Sequence, residues 1–421
     1  MPDLSHPPAP PPAADANGDN PWRLPRFRAY ACMRFFWGAS QEIMTVGLAW
    51  LIYARTHSTL ALGMVGLASF LPSLLLSMVT GTVADRLDRR TIMRAASGTM
   101  ALCGLTVCLL SFGDVIWPIY IVVVVQGISR AFAQPAAKAM LPNLAPPRIL
   151  ARVIAAGTLV QGTSTILGPA LGGVLIPLGQ WVPFAVCCGF ACLALVGTLG
   201  LGPQRAKSAP RARPDMAMLL AGYRFIWSRP KILGAMGLDL VAVMFGSATA
   251  LLPFYVTDVF HEGPWAMGAL RASDAVGGLA MAAVLSQFHI TRHFGPKLLT
   301  AVAVYGCATM AFGLSTNVYV GMFFLAVVGA SDTISMVTRN SLIQINTPDG
   351  MQGRVAAVHS MATGTSNDLG EFESGLLAHA IGGVPAVVAG GAMAVLAAVG
   401  WAFMFPAVRK ADRLDESLPE D

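Results

Sequence analysis

The chain has 421 residues, of which 55% are hydrophobic and only 12% are charged, and its mean hydropathy is +0.62. Soluble domains usually contain about 25% charged residues, so this composition excludes an ordinary water-soluble enzyme. It favours a chain whose surface faces the hydrocarbon of a bilayer, and hence an all-α membrane protein.

The predicted elements follow the apolar runs in chain order. Residues 1–28 are rich in proline and lack an apolar core, so we expect a disordered tail rather than a signal peptide or a span. A spanning helix needs about 20 apolar residues, and the next 378 residues hold twelve such runs, before a second polar tail at 407–421. The predicted transmembrane helices are 29–53, 60–84, 92–112, 116–139, 150–176, 181–202, 231–259, 264–288, 297–314, 318–341, 352–378 and 383–406.

The basic residues are distributed unequally between the two sides of this array. Of the 28 Lys and Arg residues, all but Arg34, Arg55 and Arg271 fall at one set of alternating connections, counting helix ends. Positively charged connections stay in the cytoplasm, so we predict a multi-pass protein of the bacterial inner membrane with both termini cytoplasmic. The basic residues form no patch interleaved with aromatic residues, so no nucleic-acid partner is expected.

Residues 203–230 divide the chain into two predicted six-helix bundles, 29–202 and 231–406. Apolar residues recur at a spacing of three or four between Met216 and Trp227, which predicts an amphipathic helix on the inner membrane surface. A solvated linker is an equal alternative for the first half of this segment. The pattern from Lys138 to Val153 recurs from Arg339 to Val355, and a repeat in the same direction predicts two pseudo-symmetric bundles.

Residues 81–90 read GTVADRLDRR and follow the second predicted span. This glycine–aspartate–arginine pattern at the second cytoplasmic connection of a twelve-span chain resembles the major facilitator superfamily. The resemblance implies that the loop latches the two halves together and controls which side is open. The second-half counterpart, residues 291–297, keeps a glycine but lacks the aspartate. The predicted latch residues are Gly81, Asp85, Arg86, Arg89, Arg90 and Arg130.

Three more stretches point to a subgroup of that superfamily. Residues 129–135 resemble its fourth-span arginine motif, and residues 164–173 resemble the fifth-span motif of drug–proton antiporters, with Ser164 in place of a glycine. Residues 339–355 and 366–375 are similar to the bacterial exporters grouped with the enterobactin exporter. The resemblance covers nearly all of residues 28–406 and implies that spans 1, 4, 7 and 10 line a central cavity.

Ionisable side chains inside the predicted spans are the candidate functional groups. A charge at the centre of a bilayer costs about 2.5–3.5 kcal/mol on insertion scales, so each such group should face protein, water or a ligand. Nine residues qualify: Arg34, Glu42, Asp239, Arg271, Asp274, Asp332, Asp368, Glu371 and Glu373.

The first span carries the best candidates for substrate contact. Arg34, Trp37 and Gln41 form one stripe at helical spacing, and Glu42 lies near the midplane. Polar and aromatic groups at this depth suit an amphiphilic organic substrate, although ordinary helix packing is an equal alternative for Trp37. We also assign substrate contact to Gln126, Asp239 and Asp332.

The eleventh span carries candidate proton-coupling groups. Asp368 and Glu371 share a helix face, whereas Glu373 points elsewhere. Arg271, at a similar depth, is their predicted partner. Either the pair is permanent and fixes helix packing, or one carboxylate takes up a proton and releases Arg271 during transport.

Enzymatic functions find little support. None of the five lysines follows a glycine, so the chain has no phosphate-binding loop and no ATP is expected. No HExxH or GxSxG motif occurs. His289 and His293 could share a metal, but an exposed helix end explains them better, so neither a metal nor a cofactor is predicted.

We therefore predict a monomeric secondary transporter that exports a small organic molecule, siderophore-like or an amphiphilic drug or metabolite, by proton antiport. Its partners would be that substrate, protons and the lipid bilayer. A proton-coupled importer remains an alternative, because import and export use the same fold. An intramembrane enzyme is a weaker alternative, since the buried ionisable groups could serve as acids and bases. A channel is disfavoured because the buried charges form separate layers rather than a continuous polar path.

Overall fold

The computed structural model describes residues 20–144, 146–202, 216–288 and 293–409, and these residues are almost entirely helical. The all-α prediction is therefore confirmed. The helices are α1 Pro25–Thr56, α2 Thr59–Arg86, α3 Arg89–Leu110, α4 Trp117–Met140, α5 Leu150–Leu175, α6 Val182–Gly197, α7 Met216–Ser228, α8 Pro230–Phe245, α9 Leu252–Phe254, α10 Trp265–Gln287, α11 Phe294–Leu314, α12 Val318–Ile345, α13 Asp349–Ile381, α14 Gly383–Met404 and α15 Pro406–Arg409.

Ten stretches of the described chain are long and apolar enough to cross a membrane, and they contain α2–α6, α8, α10–α12 and α14. Helices α1 and α13 are also long, at 32 and 33 residues. At about 1.5 Å per residue each of them exceeds the ~30 Å hydrocarbon thickness, but both carry more polar side chains. The count of twelve spans therefore stays a prediction.

The start of α1 differs from the predicted tail of residues 1–28. The chain enters α1 through a 3-10 turn at Pro21–Arg23, where Asn20 accepts a hydrogen bond from the Trp22 backbone N–H. Helix α1 then begins at Pro25 because proline fits the first turn of a helix. The Trp22 ring packs edge-on against Phe27 at 5.2 Å. The predicted tail thus ends too late, and residues 1–19 and 410–421 lie outside the described part.

The long helices pack mainly in two sets. Helices α1–α6 contact one another, with α1 against α5 and α6, and α3 against α4 and α6. Helices α8–α14 form the second set, in which α10 and α11 pack on α12 and α11 packs on α14. The two sets meet chiefly along two pairs, α2 with α13 and α5 with α10. The division into domains at residues 203–230 agrees with this packing and is kept as a proposal.

Glycine pairs allow both contacts between the sets. A Cβ atom built on Gly375 would lie 2.5 Å from the Cα of Gly63, where α13 meets α2. One built on Gly173 would lie 2.6 Å from the Cα of Gly268, where α5 meets α10. We call the end of the array at which α1 ends and α2 begins the distal end, and the other the basic end. Both glycine pairs lie toward the distal end, so the halves touch closely there.

The seventh predicted span, 231–259, is not the single helix that the sequence predicted. Helix α8 ends at Phe245, a 3-10 turn covers Ala248–Leu251, and a π-helix covers Tyr255–Val259 after the short α9. Gly246 ends α8, and Pro253 has no N–H with which to continue a helical ladder. At the break the Gly246 carbonyl oxygen accepts hydrogen bonds from the Ala248 N–H and from the Tyr305 hydroxyl.

The predicted amphipathic helix is present as α7, while residues 203–215 lie outside the described part. Its Ile226 is buried with Ile232, Ile343 and Val355. Tyr223 and Trp227, one turn apart, are 51% and 62% exposed on another side of the helix. Helix α7 therefore packs one side onto the second set and leaves an aromatic side free.

Candidate functional site

A cavity of about 330 Å³ lies between the two sets of helices, and we call it the central cavity. Side chains from α1, α2, α4, α5, α10 and α13 line it, together with the break after α8. Five amides, Gln41, Gln126, Gln134, Gln161 and Asn367, give its wall many hydrogen-bond donors and acceptors. The cavity is thus suited to a polar or amphiphilic organic molecule.

Helices α1 and α4 present the first wall of this cavity. Gln126 Nε2 donates a hydrogen bond to Gln41 Oε1 at 2.6 Å, which fixes the two helices against each other. Trp37 and Glu42 line the same wall. The structure therefore brings together four of the predicted substrate-contact residues.

Arg34 lies directly beside that wall and is 5% exposed. Its Cζ atom is 5.2 Å from the centre of the Trp37 ring, an arrangement typical of a cation–π contact. Its Nη2 faces Gln134 Oε1 at 3.4 Å, while its Nη1 and the Trp37 Nε1 have no hydrogen-bond partner among the described residues. Arg34 thus orients the tryptophan and keeps a free donor close to the cavity.

Two ion pairs cross the cavity from one set of helices to the other. Arg271 Nε on α10 lies 3.9 Å from Glu42 Oε2 on α1, and Arg130 Nη1 on α4 lies 3.9 Å from Asp368 Oδ1 on α13. At these distances the charges attract but form no direct hydrogen bond. Each pair can therefore be separated without breaking a tight bidentate contact.

These pairs differ from the predicted pairing of Arg271 with Asp368 or Glu371. Sequence depth places residues at one level of the membrane, but the rotation of each helix decides which of them face one another. Glu371 does line the central cavity, and its Cβ lies where a side chain at Gly66 of α2 would clash. Glu373 points away as predicted, and its Oε2 is buried without a hydrogen-bond partner in the described chain.

Asp239 and Asp332, predicted to contact substrate, are not on the wall of the central cavity. Asp239 pairs with Arg339 of α12 inside the second set, where both side chains are buried. Asp332 lines a smaller cavity of about 130 Å³ together with Asp274. Asp239 thus faces α12, and Asp332 faces a space bordered by α10 and α11, so neither reaches the wall of the central cavity.

The predicted latch divides into three parts. The surroundings of Gly81 and the side chains of Asp85 and Arg86 lie outside the described part of the structure. Arg89 donates to the Ala139 carbonyl oxygen at 3.0 Å, and Arg90 donates to the carbonyl oxygens of Thr198 and Leu199. These contacts cap the ends of α4 and α6 within the first set. Among the predicted latch residues with described side chains, Arg130 is the one with an ion pair that joins the two halves.

The fifth-span motif sets how closely α5 approaches its neighbours. A Cβ on Gly168 would lie 2.5 Å from Glu42 Cβ, and one on Gly172 would lie 3.1 Å from Val46 Cβ, both on α1. Gly173 turns toward Gly268 of α10 instead. The motif thus packs α5 against both sets at the depth of Glu42. Ser164, where the motif has glycine, donates to the Gln161 carbonyl oxygen at 2.7 Å.

Several wall residues escaped the sequence reasoning. Gln134 was missed, although it lies two four-residue steps after the predicted Gln126 on α4, with Arg130 between them, so a polar stripe on this span was visible. Gln161 and Asn367 are amides inside apolar spans and carried the same signal. Ser247 and Thr249 reach the cavity because of the break after α8, which the hydropathy pattern did not indicate.

Sequence comparison identifies the protein family. The profile of the family described as transmembrane secretion effector matches residues 20–420. The chain belongs to this family of major facilitator transporters. It is therefore a multi-pass membrane transporter rather than an enzyme, and the enzymatic alternative is set aside.

Two sets of relatives are similar over most of the chain. The enterobactin exporter EntS of Citrobacter koseri is 27% identical over 356 residues, which covers 82% of this chain and 83% of the exporter. The multidrug efflux pump Tap of Mycobacterium tuberculosis is 26% identical over 362 residues, covering 82% and 85%. Both relatives are efflux transporters, and the resemblance to the group of the enterobactin exporter is confirmed.

Solved structures share the fold at low sequence identity. A bacterial homologue of the lysosomal transporter Spinster, in an inward-facing and unoccupied conformation, aligns with a TM-score of 0.73 at 15% identity, covering 94% of this chain and all of that one. A D-xylose–proton symporter aligns with a TM-score of 0.69 at 15% identity, covering 92% and 99%. The major facilitator fold is therefore confirmed.

Proposed function

We propose that this transporter exports a small organic molecule from the cytoplasm across the bacterial inner membrane by proton antiport with alternating access. The observation that carries the proposal is the pair of cross-cavity ion pairs, Glu42–Arg271 and Asp368–Arg130. They lie on the wall of a cavity rich in amides, at the interface between the two helix sets.

These ion pairs provide a route for coupling. A proton on Glu42 or Asp368 removes the attraction that holds the facing arginine and therefore weakens the link between the halves. A substrate that binds Glu42 or Asp368, through a positive charge or hydrogen-bond donors, competes with the proton for the same carboxylate. Proton and substrate then oppose each other at one site, which is the thermodynamic requirement for antiport. Glu371 on the same wall is a further proton acceptor. The buried Glu373 is a fourth proton acceptor, which lies away from the cavity wall.

The direction and location rest on two supports. The relatives include an enterobactin exporter and a multidrug efflux pump, which favours outward movement of a siderophore-like or amphiphilic drug-like molecule. The distribution of Lys and Arg favours an inner-membrane position with both termini in the cytoplasm. We propose a monomer as the transporting unit, with no nucleic acid, ATP, metal or cofactor in the cycle.

Reconstitution into liposomes tests the proposal. Liposomes carrying the protein are given a pH gradient, and the movements of enterobactin, of ethidium and of protons are followed separately. Antiport predicts that the probe accumulates on the more acidic side while protons leave that side. If probe and protons move in the same direction, the protein is an importer of the symport type and the proposal is wrong.

Variants locate the coupling. Asp368→Asn and Glu371→Gln should abolish probe movement driven by the pH gradient, because neither amide can take up a proton. Asp114→Asn, in the exposed connection between α3 and α4, removes one carboxylate outside the cavity and should leave transport unchanged. Normal gradient-driven transport by both Asp368→Asn and Glu371→Gln would contradict the proposed coupling site.

A further inference from the structure

A buried positive charge without a counter-charge lies beside the wall of the central cavity. Arg34 of α1 is 5% exposed, and among the described residues no carboxylate lies within 4 Å of its guanidinium. Tyr30, one turn earlier, donates its hydroxyl hydrogen to the Ala137 carbonyl oxygen at 3.3 Å, so it supplies no negative charge. The Trp37 ring offsets only part of the cost of this burial. A buried arginine of this kind is costly unless an anion joins it.

Unpaired polar atoms accompany this charge. Arg34 Nη1, Trp37 Nε1 and Gln161 Oε1 are buried without a hydrogen-bond partner in the part of the chain that the structure describes. Arg34 and Trp37 lie one turn apart on α1. Gln161 of α5 reaches the same stretch of α1, because its Nε2 would lie 3.7 Å from a Cβ atom built on Gly38. Buried donors and acceptors are normally paired, so this group of two donors and one acceptor indicates a missing ligand.

Gln134 of α4 lies between the arginine and the open cavity. Its Oε1 faces Arg34 Nη2 at 3.4 Å, and its side chain lines the cavity wall. This distance exceeds the range of roughly 2.7–3.2 Å for N–H···O hydrogen bonds, so the amide is held weakly. An oxyanion in its place would form a charge-assisted hydrogen bond, which is about twice as strong as a neutral one. An anion that enters the cavity can therefore reach the guanidinium by replacing Gln134.

Glu42, the acidic residue of α1, is too far along the helix to neutralise Arg34. It lies eight residues later, which corresponds to about 12 Å along the helix axis. Glu42 pairs with Arg271, and Asp368 pairs with Arg130, so both carboxylates are already engaged. The substrate site thus offers a positive group toward the basic end and a carboxylate about 12 Å deeper.

We propose that Arg34, Trp37 and Gln161 form a subsite for the acidic oxygens of the transported molecule, which is an amphiphilic organic anion. The two unpaired N–H donors bind those oxygens, and the Gln161 oxygen accepts a hydrogen bond from a hydroxyl or N–H group next to them. Leu48 and Val123 of the cavity wall contact the apolar body. The proposal rests on the proposed function and deepens it, because it names the charge of the substrate.

The subsite also orients the substrate. With the acidic oxygens at Arg34, the other end of a molecule roughly 12 Å long reaches Glu42. A hydrogen-bond donor at that end then competes with the proton for the Glu42 carboxylate, as antiport requires. The anion subsite therefore supplies affinity, whereas Glu42 supplies coupling.

Binding of a charged and a neutral probe tests the subsite without transport. Equilibrium dialysis gives the Kd values of 2-naphthoate and of the neutral 2-naphthamide for purified protein in detergent, with protein-free micelles as the background. Wild-type protein should prefer naphthoate by roughly tenfold or more. Arg34→Gln should abolish this preference, whereas Arg28→Gln, which removes an exposed charge from the same helix, should keep it. Equal Kd values in the wild type, or an unchanged preference in Arg34→Gln, would overturn the proposal.

Two further arms address folding and the source of the anion. If Arg34→Gln does not fold, Arg34→Lys takes its place. Lysine keeps the charge but lacks the planar donor fork, so this variant should retain a smaller preference for naphthoate, and equal binding of both probes would contradict the subsite. Chloride or phosphate that displaces naphthoate at equal concentration would show that the site takes a free inorganic anion, and the assignment of an organic anion would be wrong.

The binding measurements and the liposome assays can fail independently. If wild-type protein moves ethidium in exchange for protons but shows no preference for naphthoate, the anion subsite is wrong and the proposed function stands. If naphthoate binds through Arg34 but neither enterobactin nor ethidium moves in liposomes, the proposed function fails while the site for an organic anion stands.

Discussion

Glu42 and Arg271 form an ion pair between the two halves, on the wall of the cavity where we propose that substrate and proton bind. Both side chains are partly buried, so each charge relies on the other more than a surface pair would. Their separation of 3.9 Å leaves the pair attractive but loose. A loose pair is useful to a transporter, because a tight one would hold the halves in a single state.

We predict that Glu42 and Arg271 are energetically coupled. Glu42→Gln and Arg271→Gln should each slow gradient-driven transport and lower thermal stability in detergent, since each leaves one charge without its partner. The double variant should recover part of the stability, with a coupling energy of about 0.5–3 kcal/mol. Thermal unfolding of all four proteins in a double-mutant cycle measures it.

A second cycle serves as the control for this prediction. Arg55, at the distal end of α1, donates to the Ser111 carbonyl oxygen and not to Glu42. Glu42→Gln combined with Arg55→Gln should therefore be additive. Equal coupling in the two cycles would show that the Glu42–Arg271 contact has no special role.

The sequence predicted which charged residues line the central cavity better than it predicted which of them pair with one another. The cost of a charge in lipid singled out Glu42, Arg271, Asp368 and Glu371, and all four line the central cavity. It could not assign Arg271 to Glu42, because counting residues gives depth along a helix but not its rotation within the bundle. Asp239 shows the same limit, since its depth suited a cavity that its side chain does not reach.

Hydropathy predicted where the long helices begin and end, but it did not predict where a helix is broken within a span. The predicted run 318–341 corresponds to α12 at Val318–Ile345, and 383–406 corresponds to α14 at Gly383–Met404. The seventh span stayed apolar through its break, because Gly246 and Pro253 change the backbone without lowering hydropathy. The break matters for the proposed function, since it places Ser247 and Thr249 on the wall of the central cavity.

The exposed aromatic residues of helix α7 predict that this helix lies at the membrane–water interface. The ring centres of Tyr223 and Trp227 lie 5.6 Å apart, and both side chains are largely exposed. A Cβ atom built on Gly222 would lie 3.1 Å from the carbonyl oxygen of Arg354 at the start of α13, so this side of α7 packs closely on α13. Tyrosine and tryptophan favour the membrane–water interface, and Arg224 and Arg229 are also exposed. We expect α7 to anchor the basic end of α13 to the headgroup layer.

Removing the aromatic side of α7 tests this expectation. Tyr223→Ala with Trp227→Ala should leave the fold intact but weaken transport several-fold in liposomes containing anionic phosphatidylglycerol, because α13 loses its anchor. The matched control is Phe403→Ala, which removes an exposed aromatic ring from the basic end of α14. Equal transport by wild type and the double variant in these liposomes would contradict an interfacial role.

For the whole molecule, the contacts between halves indicate which side is closed. The glycine pairs Gly63–Gly375 and Gly173–Gly268 lie toward the distal end, and Tyr53 at the end of α1 donates a hydrogen bond to Asp258. Phe254 packs edge-on against the Tyr53 ring at 6.5 Å. If the basic end is cytoplasmic, these contacts close the periplasmic side of the central cavity.

This interpretation predicts that a bulky residue at a glycine pair shifts the conformational equilibrium. Gly375→Leu places a side chain where the Cα of Gly63 now lies, and overpacking of this kind costs about 1–3 kcal/mol. That cost corresponds to a population shift of roughly 5–150-fold toward a state in which the distal ends separate. Gradient-driven transport should fall, because the distal side no longer closes fully.

Gly364 provides a control on the same helix, since a Cβ there meets no atom within 4 Å. Spin labels are placed at Phe112→Cys and Leu314→Cys, exposed at the distal ends of the two sets, in a background without the seven native cysteines. Gly375→Leu should lengthen the distance between the labels, and Gly364→Leu should leave it unchanged. The same distance distribution in both variants would mean that the glycine contact does not control closure. A longer distance in Gly375→Leu alone would place closure of the distal side at the α2–α13 contact.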